Sequence, residues 1–180
     1  MKKLLLPLFG VVAILVGAVY LNSLRSTERF EATHQKMPSA RQLARVFPGG
    51  SRQVLEDAPF LTMMSIDPRN ELPDDTKAPG TFRGYRIVGQ LQLDGERKRK
   101  LIRVFYDGMT RDGIRAKCFS PRHAISAKHG DRTVDLLICF ECGHIKSYTG
   151  ESFVYDFISQ KTQPYFDGVL KNAGVPLSPH

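Results

Sequence analysis

Val134, Leu136, Leu137, Ile138, Cys139 and Phe140 follow one another with only Asp135 between them. Successive residues of a strand point to opposite faces, so a strand of this composition is apolar on both. It must lie inside a sheet, with a strand on either side and material above and below. The expected strand covers 133–141. A turn at His129, Gly130 and Asp131 joins it to a strand over 122–128, and 115–119 reads as another strand before that. With the turn centred on Gly130, paired residue numbers sum to 260. Ile125 then faces Asp135, His123 faces Leu137, and Cys118 faces Cys142 within disulfide reach if the register survives Pro121. A slip of one residue would undo that match.

The remaining elements follow from periodicity and turn chemistry. Ser39 and Gln42 form a capping box for a short helix to Phe47, stopped by Pro48, Gly49 and Gly50, and Ser51 caps another through Asp57. Residues 60–66 read as a strand, and 67–80 as a loop rich in turn residues. Tyr85, Ile87, Leu91 and Leu93 alternate with Arg86, Gln90 and Gln92, the pattern of a strand with one dry face, and Gly89 marks a bulge. Asp94 caps a helix over 95–109 with Leu101, Ile102, Phe105 and Met109 inward. A strand over 153–158 sets Phe153, Tyr155 and Phe157 on one face. Thr162 caps a helix over 163–173 that buries Phe166, Val169, Leu170 and Ala173, followed by a loose tail. The expected class is α+β: an antiparallel sheet of about five strands, two longer helices packed on one face, and an N-terminal membrane helix ahead of them.

That last element rests on an uncharged run from Leu4 to Leu21 behind Met1, Lys2 and Lys3. At about 1.5 Å per residue it reaches roughly 27 Å, close to the thickness of bilayer hydrocarbon. Residues 1–22 are therefore expected to anchor the chain in the cytoplasmic membrane, 23–38 to be a linker, and 39–177 to be a single domain outside. Val16, Gly17 and Ala18 would also serve as a signal-peptide exit, which would make the domain secreted or periplasmic. The chain carries a formal charge of +8, and removing Lys2 and Lys3 leaves +6. This surplus is compatible with anionic partners and selects none. Arg97, Lys98, Arg99 and Lys100 form a run that reads either as a solvated helix face or as a contact for anionic lipid head groups; nucleic acid is not the expected partner.

All three cysteines lie close to the central strand, and four readings stand side by side. Cys118, Cys139, Cys142 and His144 supply donors for tetrahedral zinc, although a second knuckle pair is missing. Cys139 and Cys142 have the spacing of a redox pair but would need a turn to meet. Cys118 bridged to one of them would leave an odd thiol, chemistry that an exported domain permits. Plain burial as small apolar side chains asks least. A catalytic reading would take Cys139 or Cys142 as thiolate, His123 as base and Arg122 as oxyanion-binding cation. Against it, His123 suits an ordinary sheet position, and Arg122 suits a partner such as Asp135. No cofactor other than zinc is suggested.

Ser65 to Pro68, Gly84 to Gly89, Cys118 to His123, Val134 to Cys142 and the C-terminal pattern from Phe166 to Leu177 are five stretches of recognisable pattern. Together they resemble a family of uncharacterised bacterial proteins that carry an N-terminal export or anchor segment. The resemblance implies an exported bacterial protein and no particular activity. The function expected from all this is a non-catalytic, membrane-tethered binding or scaffold domain working on another envelope protein or on anionic lipid. The alternative is a thiol-redox or zinc protein using the cysteine cluster.

Overall fold

A computed structural model describes residues 37–70, 78–110, 113 and 116–179. The expected anchor at 1–22 and most of the linker lie outside them; among the described residues, no helix is long and apolar enough to cross a membrane. The chain begins with two short helices, α1 (Ala40–Val46) and α2 (Ser51–Asp57), separated by a 3-10 turn at Pro48–Gly50. Ser39 caps α1 by accepting from the Gln42 N–H at 3.2 Å. The Gln42 side chain does not close the box. It donates instead to the Met109 carbonyl at 2.6 Å and ties α1 to the end of a later helix.

Seven strands then form one sheet in the order β2-β3-β1-β4-β5-β6-β7. They are β1 (Phe60–Asp67), β2 (Thr81–Phe82), β3 (Tyr85–Asp94), β4 (His123–His129), β5 (Arg132–Cys139), β6 (His144–Thr149) and β7 (Ser152–Phe157). Between β3 and β4 runs α3 (Gly95–Thr110), and after β7 comes α4 (Gln163–Asn172). All the pairings are antiparallel, and the sheet curls into a half-barrel. β5 lies between β4 and β6 and is buried from Val134 to Cys139, as its two apolar faces require.

The register sorts side chains onto two faces. One carries Leu61, Met63, Ile125, Leu136 and His123 beneath a helical layer. There the His123 Nε2 lies 2.8 Å from Asp167 Oδ1 of α4, and Arg45 of α1 forks onto both oxygens of Asp156 at 2.7 and 2.9 Å. α3 joins the layer through Phe105 against Phe47 and through the Tyr106 hydroxyl, which donates to Glu56 of α2 at 2.9 Å. The other face lines the inside of the half-barrel. Met64, Ile66, Tyr85, Ala124, Leu137 and Tyr148 cluster there, with Phe82, Ile87 and Phe119 at the margin.

The curl is held at the β2–β3 turn. Arg83 and Gly84 both have positive φ, 50° and 86°, as a two-residue type I′ hairpin needs. A non-glycine residue in that region is uncommon. The Arg83 side chain reaches across the inside of the sheet to Asp135 on β5 at 2.6–2.8 Å, lies 4.5 Å from the Tyr148 ring centroid and donates to the Gly150 carbonyl. An edge turn is thereby tied to the far half of the sheet.

Several expectations are corrected. The sheet has seven strands where about five were expected. β2 is only two residues long, and β6 was missed because His144, Lys146 and Ser147 break any apolar alternation. Residues 116–120 form no strand; they cross the end of the sheet as an extended segment. The pairing of β4 with β5 sums to 261, with Ile125 opposite Leu136 and a two-residue turn at Gly130 and Asp131. The tail is docked. Val175 donates to the Leu170 carbonyl, Arg122 donates to the Pro179 carbonyl, and a Cβ on Gly89 would come within 2.9 Å of Val175 Cγ1. Gly89 also sits at the bulge, where the register between β1 and β3 shifts by one residue.

Candidate functional site

A cleft of about 370 Å³ opens where the 116–120 segment meets the end of β6 and β7, lined by Lys117, Cys118, Phe119, His144, Tyr155, Asp156 and Phe157. The segment is fastened there at three points. The Ala116 N–H donates to the Cys142 carbonyl at 3.2 Å, Cys118 is disulfide-bonded to Cys142, and the Ser120 N–H donates to Cys139 Sγ at 3.4 Å. Cys142 belongs to the turn between β5 and β6. That turn is closed by the Gly143 N–H donating to the Phe140 carbonyl, with φ of 68° at Gly143. The disulfide is asymmetric: Cys118 is exposed and lines the cleft, while Cys142 is fully buried at 0%.

Aromatic side chains form the wall. On β7, Phe153, Tyr155 and Phe157 alternate to one face and are 45, 52 and 38% exposed. Phe119 packs edge-on to Tyr155, with ring centroids 5.7 Å apart. The Lys146 ammonium lies between these rings, 5.0 Å from the Phe119 centroid, 5.1 Å from Phe153 and 5.5 Å from Tyr155. Ring faces carry negative charge, which makes such a site favourable for a cation. It explains how a lysine only 8% exposed occupies a strand of the half-barrel. The strip on β7 was legible as a one-face alternation; Phe119 and Lys146 were not, because neither lies in a periodic segment.

The expected cysteine, histidine and arginine sites are distributed differently. Cys118 and Cys142 are bonded to each other, so two of the four zinc donors are spent. Cys139 faces His144 across the β5–β6 ladder. Among the described residues, no group of three or more His, Cys, Asp or Glu side chains converges on a metal position. Cys139 is a buried free thiol whose Sγ accepts from the backbone N–H of Cys142 at 3.3 Å and of Ser120. Burial pushes this thiol up from its ordinary value, and the two N–H donors pull the other way. A Cys139–His123 catalytic pair is not formed. His123 pairs with Ile138, so it faces the helical layer while Cys139 faces the inside of the half-barrel. Arg122 pairs with Glu141 at 2.5 Å, not with Asp135.

The basic run on α3 is also divided. Lys98 turns back to donate to the Glu56 and Ala58 carbonyls at 2.8 and 2.5 Å, at the C-terminal end of α2, where a cation is favoured. Lys100 lies 5.9 Å from the Tyr165 ring centroid. Arg97 reaches toward Asp94 at 3.5 Å, and Arg97 and Arg99 stay exposed. No protein-family model matches the chain, and searches of curated proteins and of solved structures return no match.

Proposed function

We propose that residues 37–179 act as a non-catalytic binding domain outside the cytoplasmic membrane, tethered by the apolar segment 4–21 or released by cleavage behind it. Its occupant is an extended segment of another envelope protein, docked on the aromatic strip of β7 and its cleft. The observation that carries this reading is the row of Phe153, Tyr155 and Phe157, each more than a third exposed on the last strand of the sheet. Contiguous exposed aromatic surface on a folded domain marks an interaction site, and an edge strand offers main-chain groups to an added strand. Lys117 in the lining, where the one carboxylate, Asp156, is already paired with Arg45, favours a segment that carries carboxylates beside its apolar residues. The apolar run behind Lys2 and Lys3, the presence of a disulfide, and the resemblance to exported bacterial proteins support the location.

The test has an arm for address and an arm for binding. Alkaline phosphatase fused after His180 is expected to be active, and activity confined to a cytosolic reporter would overturn the location. The full chain in detergent is expected to bind extended peptides that alternate aromatic and acidic residues, by fluorescence anisotropy. The Tyr155→Ala/Phe157→Ala variant should lose about tenfold in affinity, and equal binding by the variant would refute the docking surface.

A further inference from the structure

We propose that the Cys118–Cys142 bond is a thiol-exchange site, with Cys118 the sulfur attacked and a cysteine thiol of an extended exported polypeptide as its substrate. The asymmetry of the bond is the first observation. A disulfide that only braces a fold can have both sulfurs buried; here Cys142 is 0% exposed, whereas Cys118 is exposed in the wall of a cleft. Exchange requires an approach to one sulfur, and only Cys118 offers it. The second observation is the setting. Lys117, the preceding residue in the chain, lines the same cleft with His144 and with Asp156, whose carboxylate is already paired with Arg45, so the wall carries an exposed ammonium with its one acid neutralised, a partly exposed setting of the kind that favours thiolates. Phe119, Tyr155 and Phe157 supply apolar contact for the residues flanking an incoming cysteine. The third is what remains when the bond opens. The Ala116 N–H still donates to the Cys142 carbonyl and the Ser120 N–H to Cys139 Sγ, so the segment stays in place and the bond can re-form.

A client thiolate attacks Cys118 Sγ in line with the Cys118–Cys142 bond. A client–Cys118 disulfide forms, the original bond breaks, and its electron pair leaves on Cys142 Sγ, which takes up the proton that the client thiol gave to solvent. A second client thiolate attacks the client sulfur of the mixed disulfide, giving an oxidised client and a Cys118 thiol. The two electrons now held by Cys118 and Cys142 pass by the reverse steps to a disulfide-bearing partner, such as oxidised glutathione. Cys139 stays outside the cycle, buried behind Ser120 and Cys142.

The site is the cleft of the proposed docking surface, and the experiment separates chemistry from docking. The full chain in detergent is treated with reduced glutathione, with an extended aromatic–acidic peptide carrying one cysteine, and with the same peptide carrying serine. Alkylation and mass spectrometry then locate the adducts while circular dichroism follows the fold. The wild-type bond is expected to open with the sheet intact and with Cys139 unmodified, and Cys142→Ser, whose Cys118 is a free thiol, is expected to accumulate the peptide adduct on Cys118 when the peptide is supplied as its disulfide-linked dimer, the second peptide leaving as the thiol. Tyr155→Ala/Phe157→Ala should slow the peptide reaction about tenfold more than the glutathione reaction. A wild-type bond that opens only as the sheet melts, or adducts on Cys142 or Cys139 in the folded protein, overturns the proposal, even if Cys142→Ser fails to fold. Binding of the serine peptide without exchange sinks this inference alone; loss of both sinks the docking surface with it.

Discussion

Arg83 crosses the inside of the half-barrel to ion-pair with Asp135, although its own backbone sits at a φ of 50° that few non-glycine residues adopt. The strain is tolerated because the guanidinium also lies over Tyr148 and donates to the Gly150 carbonyl. Two substitutions separate these effects. Arg83→Ala keeps the strain and loses the contacts, leaving the buried Asp135 carboxylate with the Ser126 hydroxyl donating to it and no guanidinium, and should cost about 2–4 kcal/mol. Arg83→Gly loses the same contacts and relieves the backbone, so it should cost about 1 kcal/mol less than Ala. Urea unfolding of the full chain gives both values, and equal losses would show that the backbone is not strained.

Asp67 is fully buried, with Arg69 and Arg86 both donating to its oxygens at 2.7–3.0 Å. These hydrogen bonds hold its carboxyl well below the usual carboxylate range against the opposing effect of burial. A carboxyl lowered in the folded state contributes stability that is complete above the unfolded value of about 4 and lost as pH falls toward the folded value. Asp67→Asn should therefore be less stable than wild type at neutral pH, with the gap narrowing below about pH 4. Unfolding midpoints at neutral and acid pH measure it. A gap that stays constant would assign the loss to packing.

The tail and β3 are coupled through Gly89. A methyl there would crowd Val175 Cγ1 at 2.9 Å and Pro176 Cδ at 3.3 Å, so Gly89→Ala should destabilise the full chain by about 1–3 kcal/mol. In a chain ending at Gly174 the same substitution should become neutral or stabilising, since alanine in a strand costs less backbone entropy than glycine. A double-mutant cycle tests this. Additive effects would mean that the tail does not press on β3.

Lys98 is a capping residue for α2, not part of a surface patch. Lys98→Ala should cost about 1–3 kcal/mol, the scale of charge-assisted hydrogen bonds to buried carbonyls. Arg97→Ala with Arg99→Ala should stay within about 0.5 kcal/mol of wild type. If the arginine pair proved the more costly, the assignment would be reversed.

The residues that spoke most clearly in the sequence were those whose pattern records burial. Val134 to Phe140 announced a strand covered on both sides, and the alternation from Tyr85 to Leu93 announced one half-dry face. Gly89 marked a bulge because a residue without a side chain fell in the apolar register of that strand. Polar residues satisfied by distant partners left no such record. Lys146 sits in β6 with rings from β7 and the 116–120 segment around it, and Arg83 marks a turn whose side chain works 52 residues away. The hairpin register is instructive: a turn centred on Gly130 placed Cys118 opposite Cys142, and the ladder in fact runs one residue off. The two sulfurs meet because the chain leaves the sheet before Pro121. The site was half visible, through the cysteines and the odd-numbered aromatics of β7. The lysines and Phe119 that complete it became evident only with the fold.

The disulfide spans 24 residues of sequence and encloses the whole β4–β5 hairpin, so it forms a covalent ring around the middle of the sheet. On loop-closure grounds such a ring contributes about 3 kcal/mol by restricting the unfolded chain. It also selects among pairings. A hairpin shifted by one residue would turn its buried set outward and carry Cys142 away from Cys118, so the clasp snaps shut only on a ribbon already threaded the right way. Once fastened, it keeps a memory of that alignment through any later melting of the strands around it.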